Sequence, residues 1–223
     1  IVSTVCDHCK DVLSRIQVTN YYDTILALFL DHLRLTFGAL AIALLFALTV
    51  GYLLTRWKSL SVLVLSILGI IYVIPSMAFF ALLIPFLGLG MKPAIFALVA
   101  YSQLILVRNV MVGFQSIDQA IIEAGKGMGL NWFHLFWKIE LPLALPIILG
   151  GVRIAAVAII GIGTIAAWIN AGGLGVLLFE GLYQNSTHKI IIGTILVSTL
   201  ALITNYILLR LENRLALKAK GQL

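Results

Sequence analysis

Long apolar runs with few charges inside them constrain this chain more than any other feature. The segments 30–54, 59–87, 93–114, 143–168 and 189–211 each have about the length that crosses a bilayer as a helix, for which ~20 apolar residues suffice. Of the 223 residues, 61% are hydrophobic and 11% are charged, against roughly 25% charged in a soluble domain. No strand-like alternation competes with the runs, so helices must satisfy the backbone in lipid. The chain is therefore read as all-α, a polytopic membrane protein with five transmembrane helices and a lead-in helix over 21–29 at the interface. One membrane domain accounts for the length, which leaves no soluble domain large enough to bind ATP.

Five spans put the two ends on opposite sides. With the N-terminus outside, the inner segments carry Arg56, Lys58, Arg108, Lys126, Lys138, Arg210, Arg214, Lys218 and Lys220. The outer segments carry only Lys10, Arg15, Lys92 and Lys189. That asymmetry follows the positive-inside rule and makes the C-terminus cytoplasmic. The net charge of +6 is thus a topology signal, and no nucleic-acid partner is expected.

Between the third and fourth runs lies a charged, glycine-punctuated loop, 115–142, which this orientation places in the cytoplasm. Ser116 and Gln119 have capping-box spacing, with Ser116 as N-cap, and Asp118 suits the positive end of a helix. Ile117, Ala120, Ile121, Ala124 and Met128 then recur at helical spacing as one apolar stripe. Gly127 and Gly129 end the helix, where a left-handed residue is commonly needed. Asn131 caps a second short helix containing Trp132, Phe133, Phe136 and Ile139, and Pro142 marks the start of the fourth span. A helix lying on the inner leaflet would be rich in Lys and Arg. This one has one Lys and two acids over 116–128, which favours docking to a protein.

Other residues carry weaker signals. Cys6, His8 and Cys9 have the pattern of half a metal site or a redox pair. A complete zinc site needs four ligands, so an incidental pair or a local disulfide is the preferred reading, and no metal is expected. Pro75 kinks the second span, either to line a pathway with Ser76 and Met77 or to improve packing. Gly172, Gly173, Gly175 and Gly181 follow the fourth span without the ending of a phosphate-binding loop. They suit a re-entrant gate or docking surface, the alternative being a flexible connector. Arg153 lies within the fourth span, where a charge is functional by default, and is read as bracing the cytoplasmic loop. Arg34 and Asp31 suit an ion-pair anchor. Tyr72, Tyr101 and Trp168 have the chemistry for caging a methylated ammonium group, though they fall on different segments.

Glu123-Ala124-Gly125, then Gly129, Ile139, Leu141 and Pro142, match the signature of the membrane subunits of binding-protein-dependent ABC importers, in which alanine or glycine occupies the third position. The resemblance extends over roughly 28–215. With His32-Leu33, Ile74-Pro75-Ser76 and Ala171-Gly172-Gly173-Leu174-Gly175, the chain looks most similar to the osmoprotectant subgroup. That subgroup imports quaternary ammonium solutes such as glycine betaine, carnitine and choline. The methionine importer subunits share the five-span layout and the Gly-Gly-Leu-Gly loop. The resemblance implies a type I ABC importer permease fold in a bacterial inner membrane. Its parts would be an extracytoplasmic segment 1–23, a permease domain 24–215 and a cytoplasmic tail 216–223. It implies ABC ATPase subunits, a second permease subunit and an extracytoplasmic binding protein as partners. Glu123, Ala124, Gly125, Gly129, Ile139, Leu141 and Pro142 would couple to the ATPase, while Pro75, Ser76, Met77, Gly172, Gly173 and Gly175 would serve the path or gate. The chain itself would be no enzyme and hold no cofactor, with ATP and Mg2+ on the partner. Ergothioneine and methionine stay open as solutes. A secondary transporter would need acids at membrane depth, and a membrane enzyme a converging constellation. The acids here fall at span ends or in loops, and His8, His32, His134 and His188 are scattered.

Overall fold

A computed structural model describes the backbone of residues 2–219 and the side chains of 23–57 and 59–218. Cys6, His8 and Cys9 lie outside the described side chains, as does most of the segment 1–23. Among the described residues the chain is helices joined by short turns, without strands. The helices are α1 (Val2–Leu54), α2 (Lys58–Val73), α3 (Ser76–Leu87), α4 (Met91–Gln115), α5 (Gln119–Gly127), α6 (Trp132–Leu135), α7 (Leu141–Gly163), α8 (Gly175–Tyr183) and α9 (Thr187–Ala219). Asp23–Leu54, Met91–Gln115, Trp132–Gly163 and Thr187–Lys218 are long and apolar enough to cross a membrane. The bent pair Ser59–Val73 and Ser76–Leu87 makes a fifth span if it counts as one. The expected lead-in over 21–29 is not a separate element, because α1 runs through it into the first span.

Helix α4 packs between α1 and α7, and α7 packs in turn against α9. These contacts depend on small residues. Ala39, Ala43 and Ala47 recur every fourth residue on α1 and are fully buried, so they lie on one face. Gly51 continues the row, and a Cβ there would fall 2.6 Å from Val110 Cγ1 of α4. On the other side of α4, a Cβ on Gly151 of α7 would meet Asn109 Cβ at 2.4 Å. Lipid gives helices little hydrophobic reason to associate, so close approach through small residues supplies van der Waals contact instead. Large apolar side chains such as Phe86 and Val73 point outward.

The expected kink at Pro75 is a break. Helices α2 and α3 meet at 98° across Ile74 and Pro75. Pro75 has no N–H to give, and Ile74 takes an extended ψ of 129°. The Tyr101 hydroxyl, arriving from α4, donates to the Ile74 carbonyl that the break sets free. Phe79 and Tyr72 flank the Tyr101 ring edge-on, with centroids 5.3 and 6.2 Å away. Tyr101 is thus a buried support for the break rather than a free wall of an aromatic cage.

Candidate functional site

The loop 115–142 folds into two short helices at the end of the bundle where α1 and α4 finish. The N-cap of α5 is Asp118, whose carboxylate accepts from the Ala120 N–H at 2.9 Å. Ser116 is not the cap: its hydroxyl turns back to the Gly113 carbonyl at 2.8 Å and closes α4 instead. Asn131 does cap α6, accepting from the His134 N–H at 2.9 Å. Gly129 sits at φ +79° in the turn between them, and its N–H returns to the Lys126 carbonyl.

Helix α5 has two unlike faces. Gly125 is buried, and a Cβ there would meet Leu135 Cδ1 at 2.7 Å and Ile139 Cδ1 at 2.9 Å. The spacing from Gly125 to Ile139 is therefore a packing contact, in which the small residue makes room for the isoleucine. The side turned away from Ile122 and Lys126 carries Ala120, Ile121, Ala124 and Met128, all exposed, with Met128 at 72%. Glu123 is exposed beside them. Trp132, Phe133 and Trp137 extend this apolar surface across α6.

Ile139 belongs to a π-helical turn, Phe136–Glu140, that joins α6 to α7. The Leu141 N–H bonds back to the Phe136 carbonyl, five residues earlier. Leu141 and Pro142 open α7, so Pro142 stands inside one continuous helix and not at the free start of a span. The wider turn is the adjustment its ring requires against the preceding carbonyls.

Polar groups from three elements meet behind this turn. The Tyr52 ring of α1 lies edge-on to Phe114 and to Phe136, at 4.9 and 5.0 Å. Its hydroxyl donates to Glu140 Oε2 at 3.1 Å and accepts from Arg56 Nη2 at 3.2 Å. The Tyr52 hydroxyl is the main cause holding Arg56 above the ordinary guanidinium pKa. Glu140 is 7% exposed. A cavity of about 340 Å³ separates these groups from α5, lined by Ile122 and Lys126 among others. Sequence reading missed Tyr52 and Glu140, which stand 88 residues apart.

At the opposite end, a 3₁₀ turn, Ile165–Ile169, leads to a left-handed Asn170 and then to Gly172 and Gly173 at φ +77° and +84°. Gly173 packs on His32 of α1, whose Nε2 lies 3.2 Å from the Ile160 carbonyl. A Cβ on Gly175 would fall 1.9 Å from the Thr164 carbonyl oxygen. The loop is thus packed against α1 and its own preceding turn, and it is not a flexible connector. Pro75, Ser76 and Met77 lie at the break between α2 and α3, with Pro75 and Met77 exposed. Arg34 pairs with Asp31 at 3.4 Å, as expected. Arg153 does not brace the cytoplasmic loop: it pairs with Glu212 at 2.9 Å and Asn205 at 3.2 Å, both on α9.

The family described as "Binding-protein-dependent transport system inner membrane component" matches residues 40–217. The carnitine transport permease protein OpuCB of Listeria monocytogenes is 38% identical over 85% of this chain and 87% of its own length. The glycine betaine/carnitine/choline transport system permease protein OpuCB of Bacillus subtilis (strain 168) is 36% identical over 84% and 87%. The osmoprotectant import permease protein OsmW of Salmonella typhimurium is 38% identical over 82% and 87%. Among solved structures, a chain of the inward-facing MetNI methionine ABC transporter superposes with a TM-score of 0.79, over 88% of this chain and 98% of that one, at 22% identity. That likeness shows the fold, a type I ABC importer permease.

Proposed function

Because the chain belongs to the inner membrane components of binding-protein-dependent transport systems, we propose that it is the permease subunit that forms a path for a quaternary ammonium solute of the glycine betaine, carnitine or choline type. A separate binding protein delivers the solute, ATPase subunits drive the cycle, and a second permease subunit completes the path. The relatives named for these solutes support this reading at 36–38% identity over most of their length. Ergothioneine or methionine is the alternative cargo.

The exposed stripe of α5 carries the proposal. An amphipathic helix that buries Gly125 and leaves Ile121, Ala124 and Met128 outward has the form of an element that lies in a partner's groove. Glu123 adds a charge at the edge of that face. Its partner is the ATPase, and the loop 115–142 faces the cytoplasm with the C-terminus, as the distribution of Lys and Arg favours. At the other end, the break at Pro75, Ser76 and Met77 and the turn at Gly172, Gly173 and Gly175 form the gate. The exposure of Pro75 and Met77 on one subunit fits a path that the second subunit closes.

The test is purification in mild detergent, followed by reconstitution with the partners that come along. An ATPase should co-purify, and uptake of glycine betaine, choline or carnitine should require ATP. Glu123→Lys should leave the chain inserted and abolish that uptake. Uptake that persists without ATP and collapses with an ion gradient would replace this reading with a secondary transporter.

A further inference from the structure

Helix α5 stands off the bundle across the cavity, so its movement must reach the spans through few contacts. Gly125 bears on Leu135 and Ile139, which places the π-helical turn directly behind α5. Glu140 closes that turn, and its buried carboxylate accepts the hydrogen bond from Tyr52 of α1 at 3.1 Å. Tyr52 is held between Phe114 of α4 and Phe136, so its hydroxyl has little freedom to follow another partner. We infer that Glu140 and Tyr52 are positioning residues that pass the displacement of α5 to α1.

The inference rests on the importer reading above. Its physical basis is a contiguous chain of contacts: α5 to Ile139 by packing, Ile139 to Glu140 along one helical turn, and Glu140 to α1 by a hydrogen bond. The path from α5 through the turn into α7 is continuous backbone and needs no side chain to transmit motion. The step across to α1 has no backbone route of that kind. A carboxylate–hydroxyl bond is directional, so it fixes the angle between the turn and α1 as well as their distance. Arg56 donates to the same hydroxyl at 3.2 Å, which leaves the Tyr52 proton pointing at Glu140. Helix α4 runs into α5 through residues 116–118, so it too needs no such link.

The experiment uses the complete transporter in liposomes, with its binding protein and radiolabelled glycine betaine, choline and carnitine as probes. ATP hydrolysed and solute accumulated are measured together. Tyr52→Phe keeps the ring between Phe114 and Phe136 and removes only the hydroxyl. Glu140→Leu removes the acceptor, whereas Glu140→Gln keeps one at the same reach. Tyr52→Phe and Glu140→Leu should each raise the ATP spent per solute by roughly 2- to 10-fold, and the double variant should be no worse than the worse single one. Glu140→Gln should stay close to wild type. A role confined to stability would lower the yield of the complex or its melting temperature and leave the ratio unchanged, which would overturn the inference. Full additivity in the double variant would also overturn it. If the wild-type complex itself fails to couple uptake to ATP, the importer reading falls with it. If the wild type couples and the variants couple equally well, only the inference falls.

Discussion

Gly125 and Gly129 lie in the same loop and are needed for different reasons. Gly125 is needed for space, since the atoms a Cβ would meet are the terminal methyls of Leu135 and Ile139 at 2.7 and 2.9 Å. Such ends rotate away, so Gly125→Ala should assemble and support near-normal uptake, while Gly125→Val should not. At Gly129 nothing stands within 4 Å, but φ is +79°. There Gly129→Ala should destabilise the complex by roughly 1–2 kcal/mol, and Gly129→Asn by less. Thermal unfolding in detergent, read beside uptake, separates the two cases. The family signature tolerates alanine at the first of these positions, and the packing supplies the reason.

At the scale of the element, sequence and structure agree where the cause is local. Four of the five apolar runs became a helix over most of the expected range and the second became two, because ~20 apolar residues in lipid have no other way to pair their backbone. The stripe on α5 and the Asn131 cap were legible for the same reason. The rest depends on distant partners. Pro75 marks where a backbone bond is lost, but a 98° break also needs a donor for the freed carbonyl. That donor, Tyr101, is 27 residues away. Tyr101→Phe should therefore destabilise the complex by about 1–3 kcal/mol through the unsatisfied carbonyl, with little change at α5, as thermal unfolding and ATPase co-purification would show. Ser116 and Asp118 both had the chemistry of a cap, and the choice fell to Asp118 once Ser116 bonded Gly113. Arg153 was legible as a functional charge, but its partner Glu212 sits on a helix that local pattern cannot dock.

For the whole molecule, the small-residue rows bring α1, α4 and α7 into close contact. Ala39, Ala43, Ala47 and Gly51 leave only small side chains along this face of α1, and Gly151 lets α7 approach Asn109 in the same way. The orientation is open to direct measurement. Arg214→Cys, on an exposed position of α9, should react with an impermeant thiol reagent only in inverted vesicles, and Gln184→Cys only in right-side-out cells. The reverse pattern would invert the topology and put α5 out of an ATPase's reach.

The apolar face of α5 and α6 has a consequence for the life of the subunit before assembly. Met128, Trp132, Phe133 and Trp137 are more than half exposed, a cluster that a monomeric surface rarely tolerates. With the docking proposed above, a newly made chain carries a sticky, protease-visible patch until the ATPase binds. Copies made in excess of the motor should be short-lived, so the slower-made partner, and not the synthesis of this chain, sets how many transporters the membrane holds.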